Sequence, residues 1–215
     1  MEKQVKYNCI QDLKKDGSPI IIVAALYEAE AIYNACQDNN IKVIAFCDSE
    51  KRRSEQPYCG LEVIHSPTLP SRFPKARFII ATQHIQDVVD QLSDFGYSEF
   101  YSAMELLEKY KIENHKHHIS NEYMNTRISV YKKSYSAYYD NKKTYMRSVD
   151  VMVTTRCSLK CESCSNLMQY YAKPENTKNN DIMSALNILQ EHVDEISEFR
   201  IIGGEPLMNK GWAHI

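Results

Sequence analysis

The strongest constraint on the fold is the alternation of short apolar segments with helix-like segments over the first hundred residues. The apolar segments are short and rich in branched side chains, which predicts strands buried on both faces. They cover residues 20–25, 42–47, 61–64, 77–82 and 98–101. Helices are predicted at residues 25–38 and 85–95, and a third begins with the capping box Ser102 to Glu105. Strands that alternate with helices form a parallel sheet, so we expect an α/β fold.

We interpret residues 1–112 as a Rossmann-like domain, and its first turn bears on nucleotide binding. Asp48 ends the second predicted strand, about 20 residues after the first turn, where a ribose-binding acid would lie. The first turn, residues 24–28, contains no glycine, so side chains obstruct a phosphate and Glu28 repels it. The domain resembles those attached to sugar-modifying acyltransferases and methyltransferases, which carry glycines in this loop. A structural or docking domain is favoured over a dinucleotide site, and both stay open.

Residues 113–147 are predicted to form a tyrosine-rich connector between two domains. Five tyrosines alternate with lysines and other polar residues over residues 131–145. Such a stretch can stack nucleobases, but packing of the tyrosines on a neighbouring domain is the favoured interpretation. The histidines at positions 115, 117 and 118 match no standard metal-site spacing, so we expect a solvated loop there.

Composition limits the classes of partner and compartment. Lys and Arg total 26 against 28 Asp and Glu, a net charge of −2, which excludes a strongly basic nucleic-acid binder. The longest apolar run, residues 20–26, is far shorter than the ~20 residues of a membrane span, and the first residues lack a signal-peptide core. Seven cysteines without a secretory signal predict free thiols in a reducing, cytoplasmic compartment.

Three of the cysteines lie close together, in the order Cys157, Cys161 and Cys164, directly after a predicted strand at residues 149–155. Three thiolates in one loop can converge on one soft metal centre. Zinc would require a fourth protein ligand, usually from a second paired motif, and no such pair is found in the sequence. Three cysteines on a four-iron cluster leave one iron open, as a catalytic site requires. Iron–sulfur and zinc sites both remain alternatives at this point.

A second motif supports the iron–sulfur interpretation. Residues 181–196 predict an amphipathic helix, and residues 199–202 predict a strand that runs into the sequence GGEP at 203–206. A strand, a Cys-x3-Cys-x2-Cys loop, a helix, a strand and GGEP occur in this order in the radical S-adenosylmethionine enzymes. Residues 148–215 therefore resemble the first units of the partial (β/α)6 barrel of that superfamily.

The resemblance implies an enzyme with two cofactors and assigns roles to both motifs. The three cysteines would bind a 4Fe–4S cluster, and the open iron would take the amino and carboxylate groups of S-adenosylmethionine. An electron from an external reductant would cleave S-adenosylmethionine, and the resulting radical would abstract hydrogen from substrate. The cofactor-binding residues would be those of the second motif, with Glu205 placed near the ammonium group or holding the turn: Gly203, Gly204, Glu205 and Pro206.

The sequence departs from the family pattern at two places. Ser163 stands where many members have an aromatic residue against the adenine, so Tyr170 or Tyr171 is the candidate for that contact. The resemblance covers about one and a half of six barrel units, so we expect a fragment of a longer enzyme. The substrate is expected to be a sugar, a sugar nucleotide or a peptide, in cell-surface polysaccharide or peptide modification. The alternative is an iron–sulfur or zinc module without S-adenosylmethionine chemistry.

Overall fold

The computed structural model describes residues 4–15, 17–140 and 143–211. The chain divides into two compact units, Met1–Tyr139 and Asp140–Ile215, which are described separately. Residues 141–142 of the predicted connector and residues 212–215 of the predicted last domain lie outside the described residues.

The first unit is an α/β fold around a parallel sheet of six strands. The sheet order is β1-β6-β5-β2-β3-β4, and every neighbouring pair is parallel. The strands are β1 (Val5–Lys6), β2 (Ile20–Val23), β3 (Val43–Asp48), β4 (Val63–His65), β5 (Arg77–Ile80) and β6 (Phe100–Ser102). The helices are α1 (Ile10–Lys15), α2 (Tyr27–Asp38), α3 (Leu69–Arg72), α4 (Ile85–Asp94), α5 (Met104–Glu108) and α6 (Asn121–Tyr139). The predicted α/β fold with a parallel sheet is confirmed.

The strands predicted from the sequence are present in the structure, and their residues are buried on both faces of the sheet. All residues of β2, β5 and β6 are buried, as expected for strands covered by helical crossovers. Helix α2 buries Ala29, Ile32 and Ala35, the apolar face that the sequence pattern predicted. It ends where Asn40 adopts a left-handed conformation, with φ of 56°.

The beginning of the chain adds two elements that the sequence did not predict. β1 pairs with β6 at the edge of the sheet, and α1 follows it. The predicted capping box from Ser102 to Glu105 is wrong about the groups that Glu105 bonds. Glu105 Oε2 accepts the backbone N–H groups of Cys9 and Ile10, at 2.6 and 2.9 Å. Glu105 therefore caps α1 instead of its own helix, because a carboxylate satisfies unpaired N–H groups at whichever helix start it can reach.

The boundary between the two units, after Tyr139, lies inside the predicted connector at residues 113–147. Residues 121–139 form helix α6, which packs against α2 and α5 in the first unit. Tyr131 and Tyr135 are fully buried, and both hydroxyl groups donate to the Ile80 carbonyl oxygen, at 2.9 and 2.7 Å. The sequence interpretation missed this helix because three of its five buried residues are Tyr131, Ser134 and Tyr135, which weaken the apolar periodicity.

The second unit consists of two parallel strands joined through a loop and a helix. These elements are β7 (Tyr145–Thr154), α7 (Asn179–His192) and β8 (Glu195–Gly203). The predicted helix at residues 181–196 ends earlier, at His192, and Ile196 lies in β8. The predicted strand at residues 199–202 is correspondingly longer, since β8 begins at Glu195 to pair with Tyr145.

None of the helices within the described residues combines the length and apolar character that a membrane-spanning helix requires.

Candidate functional site

The cysteine loop begins at the carboxyl end of β7. Thr154 ends the strand and is completely buried, whereas Cys157 and Cys164 are half-buried and Cys161 is exposed. The thiols are thus accessible at a strand end, where α/β folds place their sites. Within the described residues, the sulfur atoms of the three cysteines do not all lie within 4.8 Å of one another. The loop presents three separate thiols.

Backbone N–H groups favour the thiolate form of Cys164. The backbone N–H of Met168, and after it those of Asn166 and Leu167, lower the pKa of Cys164 below its usual range, against a smaller opposing effect of burial. Leu167 adopts a left-handed conformation, with φ of 53° and ψ of 35°, which turns the chain around the sulfur. Leu159 donates its N–H to the Cys157 sulfur at 3.4 Å. Such donors stabilise thiolate ligands of a metal.

The two glycines bring the end of β8 against the cysteine loop. The Gly204 N–H donates to the Thr154 carbonyl oxygen at 3.0 Å. A Cβ on residue 203 would overlap the Thr154 carbonyl oxygen, and a Cβ on residue 204 would overlap that of Arg156 and lie 2.9 Å from the Cys157 Cβ. Close approach between two backbones therefore requires glycine at both positions.

Glu205 binds the cysteine loop through its backbone and its side chain. Its N–H donates to the Arg156 carbonyl oxygen at 2.8 Å, and its carboxylate Oε2 accepts the Ser158 hydroxyl at 2.5 Å. Pro206 then begins a short 3-10 turn, Pro206–Met208. Of the two predicted roles for Glu205, the structure shows that it holds the turn.

Buried polar residues that the sequence interpretation missed fix the strand ends around this loop. Thr154 Oγ1 donates to Asn176 Oδ1 at 2.7 Å and accepts the Arg156 N–H at 3.0 Å. Asn209 is buried and donates its side-chain amide to the Val153 carbonyl oxygen at 2.8 Å. Asn166 donates to the Gly203 carbonyl oxygen at 3.3 Å. The sequence contained one signal for these residues, namely the polar side chains that directly follow β7 and the GGEP motif.

The aromatic candidates for an adenine contact are solvent-exposed. Tyr170 is 76% exposed and Tyr171 is 45% exposed, and Ser163 is exposed as well. Neither ring is buried, so the described geometry selects neither.

At the carboxyl edge of the sheet in the first unit, the candidate ribose-binding acid Asp48 is already hydrogen-bonded. Asp48 accepts the Ala25 N–H at 3.0 Å and the Glu50 N–H at 2.9 Å, which occupies both carboxylate oxygens. Glu28 is buried and accepts Arg127 Nη2 of α6 at 2.6 Å. A cleft of about 460 Å³ lies beside Asp48. These bonds favour a structural use of the residues in the first turn, as the glycine-free sequence suggested.

Comparison with known proteins identifies no relative. The chain matches no protein-family model, and no curated protein matches it significantly. Function is therefore inferred from the residues of the two units.

Proposed function

We propose that the second unit carries the cluster loop and the ligand-binding turn of a radical S-adenosylmethionine enzyme. Cys157, Cys161 and Cys164 hold a 4Fe–4S cluster in this proposal, and β7, α7 and β8 are the first units of a partial (β/α)6 barrel. The observation that carries it is the direct contact between two distant motifs. The turn at residues 203–206 is bonded to the cysteine loop through Glu205, at both Arg156 and Ser158.

The residues present fit an iron–sulfur cluster in donor type and accessibility. Three thiols project from one loop, and iron–sulfur clusters are held by cysteine thiolates. The N–H groups around Cys164 lower its pKa, which favours the deprotonated form that binds iron. Three protein ligands leave one coordination position for a small molecule.

The turn at the end of β8 has the groups that a methionine moiety requires. When bound, the cluster supplies one electron for the reductive cleavage of S-adenosylmethionine, which starts hydrogen abstraction from substrate. Glu205 keeps Oε2 bonded to Ser158, so Oε1 is the atom that we assign to the ligand ammonium. Gly203 and Gly204 allow close contact between the turn and the cysteine loop, and in this proposal that contact places Glu205 beside the cluster.

The chemistry also requires an external one-electron reductant and a substrate. A sugar, a sugar nucleotide or a peptide is the proposed substrate class, because the first unit resembles domains of sugar-modifying enzymes.

The test is anaerobic reconstitution of the full chain with iron and sulfide. Iron content is measured, the protein is reduced with dithionite, and EPR spectra are recorded with and without S-adenosylmethionine. We expect about four iron atoms per chain and a signal that changes when S-adenosylmethionine is added. Cys157→Ser, Cys161→Ser and Cys164→Ser should each lose the cluster. Cys59→Ser, in the first unit, is the matched control and should keep it.

Two outcomes contradict the proposal. A cluster whose spectrum ignores S-adenosylmethionine would indicate an iron–sulfur module without this chemistry. A colourless protein that takes up one zinc ion through the same three cysteines would indicate a zinc module.

A further inference from the structure

A second group of metal-ligating side chains lies in the first unit, far along the sequence from the cysteine loop. Glu30 projects from α2, Cys59 lies in the turn between β3 and β4, and His118 lies between α5 and α6. One ligand atom from each of these residues lies within 4.8 Å of the other two. The sequence interpretation had placed the histidines in a solvated loop. Three distant segments bring these donors together.

Glu30 is the centre of this group. It is only 4% exposed, and its Oε1 lies 2.8 Å from Nδ1 of His118. The backbone N–H of His118 also donates to both carboxylate oxygens, at 3.3 Å. Buried carboxylates require a cation or several hydrogen bonds. The Glu30 carboxylate is therefore stabilised either by these hydrogen bonds from His118 or by a metal ion.

His117 provides an independent indication of a ligand. Its side chain is completely buried, and within the described residues its Nδ1 has no hydrogen-bond partner. This atom lies 4.0 Å from Glu30 Oε1, too far for a hydrogen bond. The other ring nitrogen, Nε2, lies 3.2 Å from the Tyr110 hydroxyl oxygen. When Nε2–H donates to Tyr110, the lone pair of Nδ1 is free for a metal ion, the arrangement usual in metal sites.

Cys59 is held in an unusual conformation with its thiol in the same group. Tyr58 and Leu61 exchange two backbone hydrogen bonds, at 2.8 and 2.9 Å, around a turn whose central residues are Cys59 and Gly60. Both central residues have positive φ, 48° and 77°, in a turn that prefers Asn, Asp or Gly. This turn holds the Cys59 thiol within 4.8 Å of the ligand atoms of Glu30 and His118.

We propose that Glu30, Cys59, His117 and His118 form a zinc site. Carboxylate, thiolate and two imidazoles are a donor set that zinc accepts in tetrahedral geometry. Bond lengths of 2.0–2.3 Å place such ligands roughly 3.3–3.8 Å apart. The ligand atoms of Glu30, Cys59 and His118 lie within 4.8 Å of one another, and His117 Nδ1, 4.0 Å from Glu30 Oε1, moves toward this group when the metal binds. Four protein ligands close the coordination sphere, so the site is structural. It ties the segment before α6 to α2 and to the turn between β3 and β4.

The experiment uses the full chain in which Cys157, Cys161 and Cys164 are all replaced by Ser, so that the cysteine loop binds no metal. Zinc is titrated in competition with a chromophoric chelator, and Co²⁺ is added separately to record sulfur-to-cobalt charge-transfer absorption. We expect one tightly bound zinc ion per chain and a charge-transfer band.

Substitutions in this background identify the ligands. Cys59→Ser should remove the band, and His118→Ala, at an exposed ring, should weaken zinc binding at least about 100-fold, beyond the 10–100-fold typical of outer-shell changes. Tyr110→Phe should weaken it about 10–100-fold. His84→Ala, at an exposed histidine outside the group, is the matched control and should have no effect. Absence of tight zinc binding, or equal binding by the Cys59 and His118 variants, would overturn the proposal and leave a Glu30–His118 ion pair.

Discussion

Gly204→Ala tests whether the glycine pair positions the cysteine loop. A Cβ on residue 204 would overlap the Arg156 carbonyl oxygen and lie 2.7 Å from its carbonyl carbon and 2.9 Å from the Cys157 Cβ. Rotation of a side chain cannot relieve these contacts, because two of the atoms belong to the backbone. Ordinary contact begins at 3.4 Å, so the Cys157 Cβ must move by about 0.5 Å.

The expected cost follows from this displacement. Overpacking of a fixed site typically costs about 1–3 kcal/mol. If this cost falls on the contact between β8 and the cysteine loop, local opening of that contact becomes roughly 5- to 150-fold more frequent. The N–H groups of Gly204 and Glu205, which bond Thr154 and Arg156, should therefore exchange with solvent faster by this factor.

The assay is hydrogen–deuterium exchange with mass spectrometry, following peptides that span residues 154–167 and 199–211. The same preparation is reconstituted with iron and sulfide, and iron uptake per chain should fall with the loss of protection. Gly17→Ala is the matched control, because a Cβ there meets nothing within 4 Å. If Gly204→Ala exchanges and binds iron as Gly17→Ala does, close backbone contact is not what positions the loop.

Three further changes test other parts of the structure. Tyr135→Phe removes the hydrogen bond to Ile80 and should lower the thermal midpoint by the equivalent of about 1 kcal/mol, whereas Tyr123→Phe, at a 46% exposed tyrosine, should leave it unchanged. Glu28→Gln leaves Arg127 without its buried carboxylate and should lower the free energy of unfolding in urea by about 3–5 kcal/mol. The double variant with Arg127→Met should recover part of this loss. Alkylation of the metal-free protein should modify Cys164 first, because its lowered pKa leaves more thiolate near neutral pH. Cys59, with a pKa of about 12, should react appreciably only as the pH approaches that value. Equal rates of alkylation at neutral pH would contradict both pKa shifts.

The strands of the first unit could be predicted because burial on both faces leaves a direct record in sequence. Runs such as residues 20–23 and 77–80 are short, apolar and bounded by polar turns. Helix α6 could not be predicted in the same way. Its buried face includes Tyr131 and Tyr135, whose rings are apolar while their hydroxyls bond a distant carbonyl group. Only the position of Ile80 in three dimensions explains that pattern.

The two candidate sites also differ in how far they could be predicted from the sequence. The cysteine loop could be located from sequence because its three thiols lie within eight residues, and spacing alone indicated a common centre. The group around Glu30 draws on segments separated by as many as 88 residues, so no local motif marks it. The contact of Gly204 with Arg156 was likewise unforeseen, since it depends on the register of β7 with β8.

The edge strand β1 has a consequence for synthesis of the chain. Val5 pairs with Phe100, and Cys9 and Ile10 depend on the carboxylate of Glu105, so these residues are completed by residues made much later. At about 5–20 residues per second, ribosomes reach the partner strand roughly 5–20 s after residue 5. During that interval the nascent segment has no sheet to join, and β2, β3 and β5 can pair first. We therefore expect β1 to be the last strand added to the sheet, closing an edge that would otherwise remain open to other chains.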